Sequence, residues 1–459
     1  MRRFEFKDGK SNKFWEIEVR GSDFVTRHGR IGTPGKETLK RFGSPSYAQS
    51  QAESAIKSKT KKGYVEVDAE ALAAEAVAAA LPQDDSPQAS LERKLIAEPQ
   101  AWDDWLVYAD NLTQAGDPRG ELVSIGVAWA RHKAEGKKKD KKIDALLDRE
   151  DKLLQENAAA WFGKLVEDDT WRECFAWSLE TGFWKEIRLW LDYDHKDADI
   201  PKALAYALEH PSCKFLRRLT LGLTGAEGHA EYDGCIRAML KRGPLLSLRS
   251  LYIGDFVRDE TEISWVHVGS VGRLWPIYPN LESMTLRGGG IDLGIPKSTS
   301  LRSLTLNTGG LPGPAGESLG RAELPNLERL VVWFGTTNYG GSCNGGHARM
   351  ILANKHLAKL EHLALANADF ANDIATEVSR NDLPPKLRTL DLSMGTMTDT
   401  GAKRLLAASK TLSKLEHIDL DSNFLSPAMC TRLKNELGNV SVAGQKTADG
   451  DWYYVSVGE

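Results

Sequence analysis

A six-residue pattern, Leu-x-x-[Leu/Ile/Met]-x-[Leu/Ile/Val], returns eight times in this 459-residue chain, at Leu216–Leu221, Leu248–Ile253, Leu281–Leu286, Leu301–Leu306, Leu327–Val332, Leu360–Leu365, Leu387–Leu392 and Leu415–Leu420. Successive starts lie 32, 33, 20, 26, 33, 27 and 28 residues apart. Within each copy, apolar and polar residues alternate, as they do in a strand with one buried face. The stretches between copies are long enough for crossovers, so the strands are expected to be parallel. Such units cannot bury their apolar faces alone and must stack on one another. A stack needs covered ends. Phe175–Asp192 is expected to supply an irregular first strand or two, with five of the 13 tryptophans (Trp161, Trp171, Trp177, Trp184, Trp190) packed over it. At the far end, Val440–Ala443 and Trp452–Val457, around an Asp449-Gly450 turn, predict a hairpin cap.

The eight copies resemble leucine-rich repeats, and Met397–Ser426 resembles the ribonuclease-inhibitor type, in which strand and helix alternate. The resemblance implies an α/β solenoid over 168–459, with a curved parallel sheet inside and helices outside. Alternation sends Arg218, Tyr252, Arg287, Arg329, Trp333, His362, Asp391, His417, Asp419 and Asp421 toward the concave face, where a protein or peptide partner is expected. Trp333 and Tyr252 are its aromatic residues, and Phe334 turns into the core. The three aspartates favour a basic or amide-rich partner segment.

Residues 1–67 differ in character. They hold 15 Lys and Arg against 8 Asp and Glu, a charge of +7 in a chain whose total is −4. Strands are predicted at Phe14–Val19, Phe24–His28 and Glu37–Phe42, with turns at Gly21-Ser22-Asp23 and Gly32–Gly35 and a helix over Ser46–Thr60. FWEIEV at Phe14–Val19, RHGRIGTPG at Arg27–Gly35 and KKGYVEV at Lys61–Val67 together resemble the WGR domain of poly(ADP-ribose) polymerases and many bacterial proteins. The triplet here is His28-Gly29-Arg30, with histidine in place of the name-giving tryptophan. In the polymerases that tryptophan packs on a sugar at a DNA end and the arginine helps hold the backbone. The resemblance therefore makes His28, Arg30, Lys40 and Arg41 candidates for contact with a DNA or RNA backbone. It carries over no ADP-ribosyl transfer, because nothing here matches the polymerases' catalytic domain.

Residues 68–87 are predicted to be a linker, Ala-rich to Leu81 and then broken by Pro82-Gln83-Asp84-Asp85-Ser86-Pro87. Helical spacing resumes over 88–167. There Tyr108-Ala109-Asp110, Leu112 and Gly116-Asp117-Pro118-Arg119-Gly120-Glu121 resemble the bacterial repeat-companion domain, a family defined by the arrays it accompanies. Gly116 and Pro118 predict a helix–turn–helix, and Asp110, Asp117, Arg119 and Glu121 an ion-pair network. The run Lys133, Lys137, Lys138, Lys139, Lys141, Lys142 reads as a solvated loop, or as an extension of a phosphate track.

The chain has no GxxxxGK[ST], HExxH or GxSxG motif and no metal-spaced Cys/His set, so neither enzymatic activity, cofactor nor metal is expected. Cys343 with His347 invites a nucleophile–base reading, against the plainer one of a repeat loop. Five scattered cysteines suit free thiols in a reducing compartment. No apolar stretch nears the roughly 20 residues of a membrane helix. The expectation is a multidomain α/β adaptor of the bacterial cytoplasm that binds another protein. The alternative is a nucleic-acid-associated factor using the basic module.

Overall fold

The computed structural model describes residues 2–8, 11–20, 23–31, 35–67, 86–225 and 230–459, which fall into two compact units, 1–81 and 82–459. Most of the expected linker, 68–85, and the turn residues Gly21, Ser22 and Gly32–Pro34 lie outside the described residues.

The first unit is an antiparallel sheet ordered β4-β3-β2-β1-β5, with β1 at Arg2–Lys7, β2 at Asn12–Arg20, β3 at Asp23–Arg30, β4 at Lys36–Arg41 and β5 at Val65–Val67. A helix over Pro45–Lys61 starts at Ser44, whose hydroxyl accepts from the Tyr47 amide. Alternation directs Phe4, Trp15, Ile17 and Phe24 into one core with Ala52 of that helix. The opposite sheet face buries charge. Glu16 accepts from Arg3 at 3.0 Å and from Arg27 at 2.7 Å, while Glu5 is held by Arg3 and Lys7. Both arginines also stack on Phe14.

In the second unit, helices at Pro87–Ala97, Trp102–Gln114, Arg119–Ala134 and Lys141–Phe162 precede a sheet of 11 strands. Ser86, expected to help break the chain, instead caps the first of these helices by accepting from the Ala89 amide. The expected ion-pair network does not form. Glu121 pairs with Arg149, whereas Arg119 turns inward to donate to Ser212 Oγ and the Trp161 carbonyl. It lies over the rings of Trp161 and Phe183, so it ties the helices to the sheet.

The sheet opens with an antiparallel hairpin, β6 (Phe175–Glu180) and β7 (Phe183–Leu189), turned at Thr181 and Gly182 with positive φ. Trp184 is fully buried there, stacked on Phe162. The remaining strands are parallel: β8 (Arg218–Leu221), β10 (Ser250–Ile253), β12 (Ser283–Arg287), β14 (Ser303–Asn307), β15 (Arg329–Gly335), β16 (His362–Ala368), β17 (Thr389–Asp391), β18 (His417–Asp419) and β19 (Val440–Ser441). All eight sextets supply strands of this one sheet. Their register aligns Ile187, Leu219, Leu251, Met284, Leu304, Leu330, Leu363, Leu390 and Ile418 in one row, each 1% exposed or less. Leu204, Ile236, Leu319, Ile351, Ile374, Leu405 and Leu433, from helices in the crossovers, join the same core. The 20-residue interval between Leu281 and Leu301 has no helix. It holds β13 (Gly289–Asp292), which pairs in parallel with β11 (Val266–Ser270), itself paired with β9 (Ala230–Glu231), in a separate three-stranded sheet.

The predicted hairpin cap is not formed. Val440–Ser441 joins the large sheet parallel to β18. The Asp449-Gly450 turn is present, closed by reciprocal Asp449–Trp452 backbone bonds. Beyond it, the amides of residues 456 and 457 donate to the Met394 carbonyl, after β17, and to the Asn367 side chain near the end of β16, not to 440–443. Strand β19 already satisfies its one neighbour, and Val455 and Val457 find apolar contact elsewhere.

Candidate binding surfaces

In the first unit, the antiparallel register sets Trp15 opposite His28 and His28 opposite Lys36, with Lys13 opposite Arg30. By the two-residue period these side chains share the face that carries the helix. His28 and Arg30 are exposed. Lys40 lies on this face as well, against Phe24 at 5.6 Å, four residues along β4 from the lysine that faces His28. Arg41 alternates to the other face, so the four candidates do not form one cluster. Instead, Lys36 lies opposite His28, while Lys13 and, from the helix, Lys59 come together at Trp15. The Lys59 ammonium sits 5.3 Å from the Trp15 ring and 4.8 Å from that of Tyr64. Burial lowers its pKa, and the charges of Lys62 and Lys13 lower it further. Cations crowded together over aromatic faces suit a polyanion. Lys13 and Lys59 were separable from the other lysines only once the strand pairing was known.

The lysine run of the second unit also has an aromatic partner that its own sequence lacks. Lys133, one turn on in the same helix, and Lys139, beyond its end, lie over Trp129 at 4.5 and 5.4 Å.

On the large sheet, register arranges the ten candidate residues in rows on the face opposite the leucines. Arg218, Arg329, His362 and His417 belong to one row. Tyr252, Asp391 and Asp419 belong to the next. Arg287 and Trp333 lie one step further along β12 and β15, and Asp421 two residues beyond Asp419. Trp333 is half-buried beside Ala366, whereas Phe334 is 1% exposed and packs edge-on against Phe370. Between the charged ends, Val331, Ala364 and Ala366 form a buried apolar strip outside the main core cluster.

Electrostatics divide this face. Arg218 pairs with Glu186 and Arg188 with Asp255. His362 meets Thr389 Oγ1 at 2.6 Å through Nδ1, and its buried Nε2 has no hydrogen-bond partner. Burial lowers the His362 pKa and Arg329 lowers it further, against the opposing pull of Asp391. Asp419 is raised, by burial first and by Asp391 and Asp421 besides. Asp421 is tied down by the Ala443 amide and the Ser441 hydroxyl. The histidines and aspartates do not assemble into a metal centre: among the described residues no group of three or more His, Cys, Asp or Glu side chains is placed to hold one.

Cys343 and His347 are also close, but their atoms are otherwise engaged. The thiol donates to the Pro312 carbonyl, and burial pushes its pKa up to about 12. His347 Nδ1 accepts from the Asn344 amide and closes a helix cap. A half-buried thiol held in its neutral form is disfavoured as a nucleophile, because the thiolate is the attacking species.

The family model of the WGR domain matches residues 1–71, so the N-terminal module is a WGR domain. Two proteins of Escherichia coli K12 share it: the uncharacterized protein YfeS, 38% identical over 65 residues, and protein YehF, 38% identical over 66. Each match spans 14% of this chain and about a quarter of the relative, 27% and 24%. The crystal structure of a Bacteroides fragilis protein aligns over 99% of both chains with a TM-score of 0.52 at 22% identity. At that identity the likeness is one of fold alone.

Proposed function

We propose that the chain is a non-enzymatic adaptor of the bacterial cytoplasm. In this reading, 1–67 is the WGR module, 68–87 a linker and 88–167 a repeat-companion domain. Residues 168–459 form a leucine-rich repeat solenoid of ribonuclease-inhibitor type whose concave sheet face binds a partner protein or peptide. One observation carries it: the ten chosen side chains, from seven strands and, at Asp421, from just beyond the last of them, share one sheet face, with a half-buried tryptophan beside an apolar strip and charge of opposite sign at its two sides. Aromatic anchors flanked by polar groups are the usual composition of a binding surface. A photo-crosslinking amino acid at position 333 of the full chain, in native extract, should trap a partner that the same group at exposed Arg432 does not. Identical products from both positions would refute the sheet-face site.

A second reading rests on the lysines around Trp15. The WGR module then contacts a DNA or RNA backbone, weakly and without sequence preference. Lys13→Ala with Lys59→Ala should reduce retention on duplex DNA at low salt equally for all sequences. No retention by the unaltered chain would leave the module a protein-binding fold.

A further inference from the structure

We propose that the loops following β14 to β17 form a docking groove for an extended acidic peptide of a partner, a groove that the chain's own residues 452–459 fill in the free state. The site lies at the carboxyl end of the strands and shares only Arg287 with the sheet-face reading, which is centred on Trp333, so either can fail alone.

The groove grips main chain. Asn367, fully buried and with φ of 53°, donates from Nδ2 to the Val457 carbonyl at 2.6 Å, and its Oδ1 accepts from the Val457 amide at 2.9 Å. One step along, the Ser456 amide donates to the Met394 carbonyl at 2.9 Å. A side-chain amide that satisfies both polar groups of one residue selects extended backbone, whatever its sequence. Further on, a Cβ at Gly309 would overlap the Gly458 carbonyl oxygen, so this position must be bare for a chain to lie so close.

The present occupant is held mainly through its main chain, and its aromatic stretch stays open to solvent. Val455 and Val457 pack inward, but Trp452, Tyr453 and Tyr454 are 62%, 44% and 38% exposed. Lys446 acts as a clasp, donating to the Tyr454 carbonyl at 2.7 Å with its ammonium 4.8 Å from the Phe424 ring. Segments with few buried apolar contacts open at low cost.

Charge selects the incoming chain. A cavity of about 460 Å³ beside the segment is lined by Arg258 and Arg287. Its acids are engaged, Asp369 by the Thr337 amide and Glu459 by the Tyr339 hydroxyl. Neither arginine forms an ion pair among the described residues, and Arg287 Nε is buried without a hydrogen-bond partner. An acidic residue on a bound peptide would satisfy them.

The test uses the full chain and a fluorescent peptide with the sequence of residues 450–459 followed by two glutamates. Val457→Ser with Gly458→Val unseats the chain's own segment without adding an acid that the arginines could take, since a Cβ at Gly458 would lie 2.7 Å from the Tyr339 ring, and it leaves the loops of the groove unaltered. Anisotropy should show this variant binding the peptide at least ten-fold more tightly than the parent chain. Two lysines in place of the glutamates should weaken binding at least five-fold, and Arg258→Ser with Arg287→Ser should abolish that difference. Equal affinity for parent and variant, or a charge preference that survives loss of the arginines, would overturn the proposal. Hydrogen exchange on the unaltered chain gives an independent readout. The Ser456 and Val457 amides should exchange at least a hundred-fold faster than those of Leu363 and Leu365 in β16, and equal protection would mean a fixed structural element.

Discussion

Trp333 and Phe334 are neighbours in β15 with opposite fates, and the two-residue period decides which is which. Phe334→Ala removes a ring that is 1% exposed and should cost about 3–5 kcal/mol in chemical denaturation. Trp333→Ala should cost less, about 1 kcal/mol, because part of the indole stays open to solvent. His210 carries a pH dependence. Burial, with the nearby Arg119 charge, pushes its pKa down to about 4. Its Nδ1 accepts from the Ser212 amide, which requires the neutral ring. Between about pH 6.5 and 4 the unfolded chain takes up a proton that the native chain refuses, so stability falls as pH falls through that window. His210→Gln should flatten the denaturation midpoint between pH 7 and 5, and an unchanged slope would move the effect to another group.

At the scale of elements, what could be read from the sequence follows from how locally each element is specified. The sextets state their own period, so all eight strands and the outward residues could be placed. The helix over Pro45–Lys61 announces itself by Ser44, Pro45 and its alanine spacing. Other features depend on pairing between distant residues. β1 carries apolar residues only at Phe4 and Phe6 and gains its place by pairing with both β2 and β5. The lysines at Trp15 come from separate stretches and meet only in three dimensions. The Trp452–Val457 stretch has a strand's alternation and a turn before it, yet the amides of Ser456 and Val457 find their acceptors on Met394 and Asn367, 62 and 90 residues back. Arg119 was expected to pair locally because Asp117 and Glu121 are adjacent, but its length lets it reach Ser212. Beside it, Gly120 permits the close crossing of two helices: a Cβ there would lie 2.5 Å from the Ala109 carbonyl and would overlap Thr113 Oγ1. Gly120→Ala should therefore destabilise the chain by about 1–3 kcal/mol, against a small gain for the same change at an unhindered helix position. A neutral result would mean that the two helices separate freely.

At the scale of the molecule, each of the two units has its own buried cluster. Residues 82–459 expressed alone should give a single cooperative transition and native-like near-ultraviolet dichroism. A molten 82–459 would show that its core needs the first unit. Within that second unit, the leucine face carries stability, and the proposed recognition falls on the polar sheet face around Trp333. The most direct measurement is the affinity of the full chain and its Trp333→Ala variant for the partner trapped at position 333, by titration calorimetry, with melting curves for both proteins. The account predicts a loss of about 2 kcal/mol or more in binding and a nearly unchanged melting temperature. Unaltered affinity, or a melting temperature that drops with it, would contradict it.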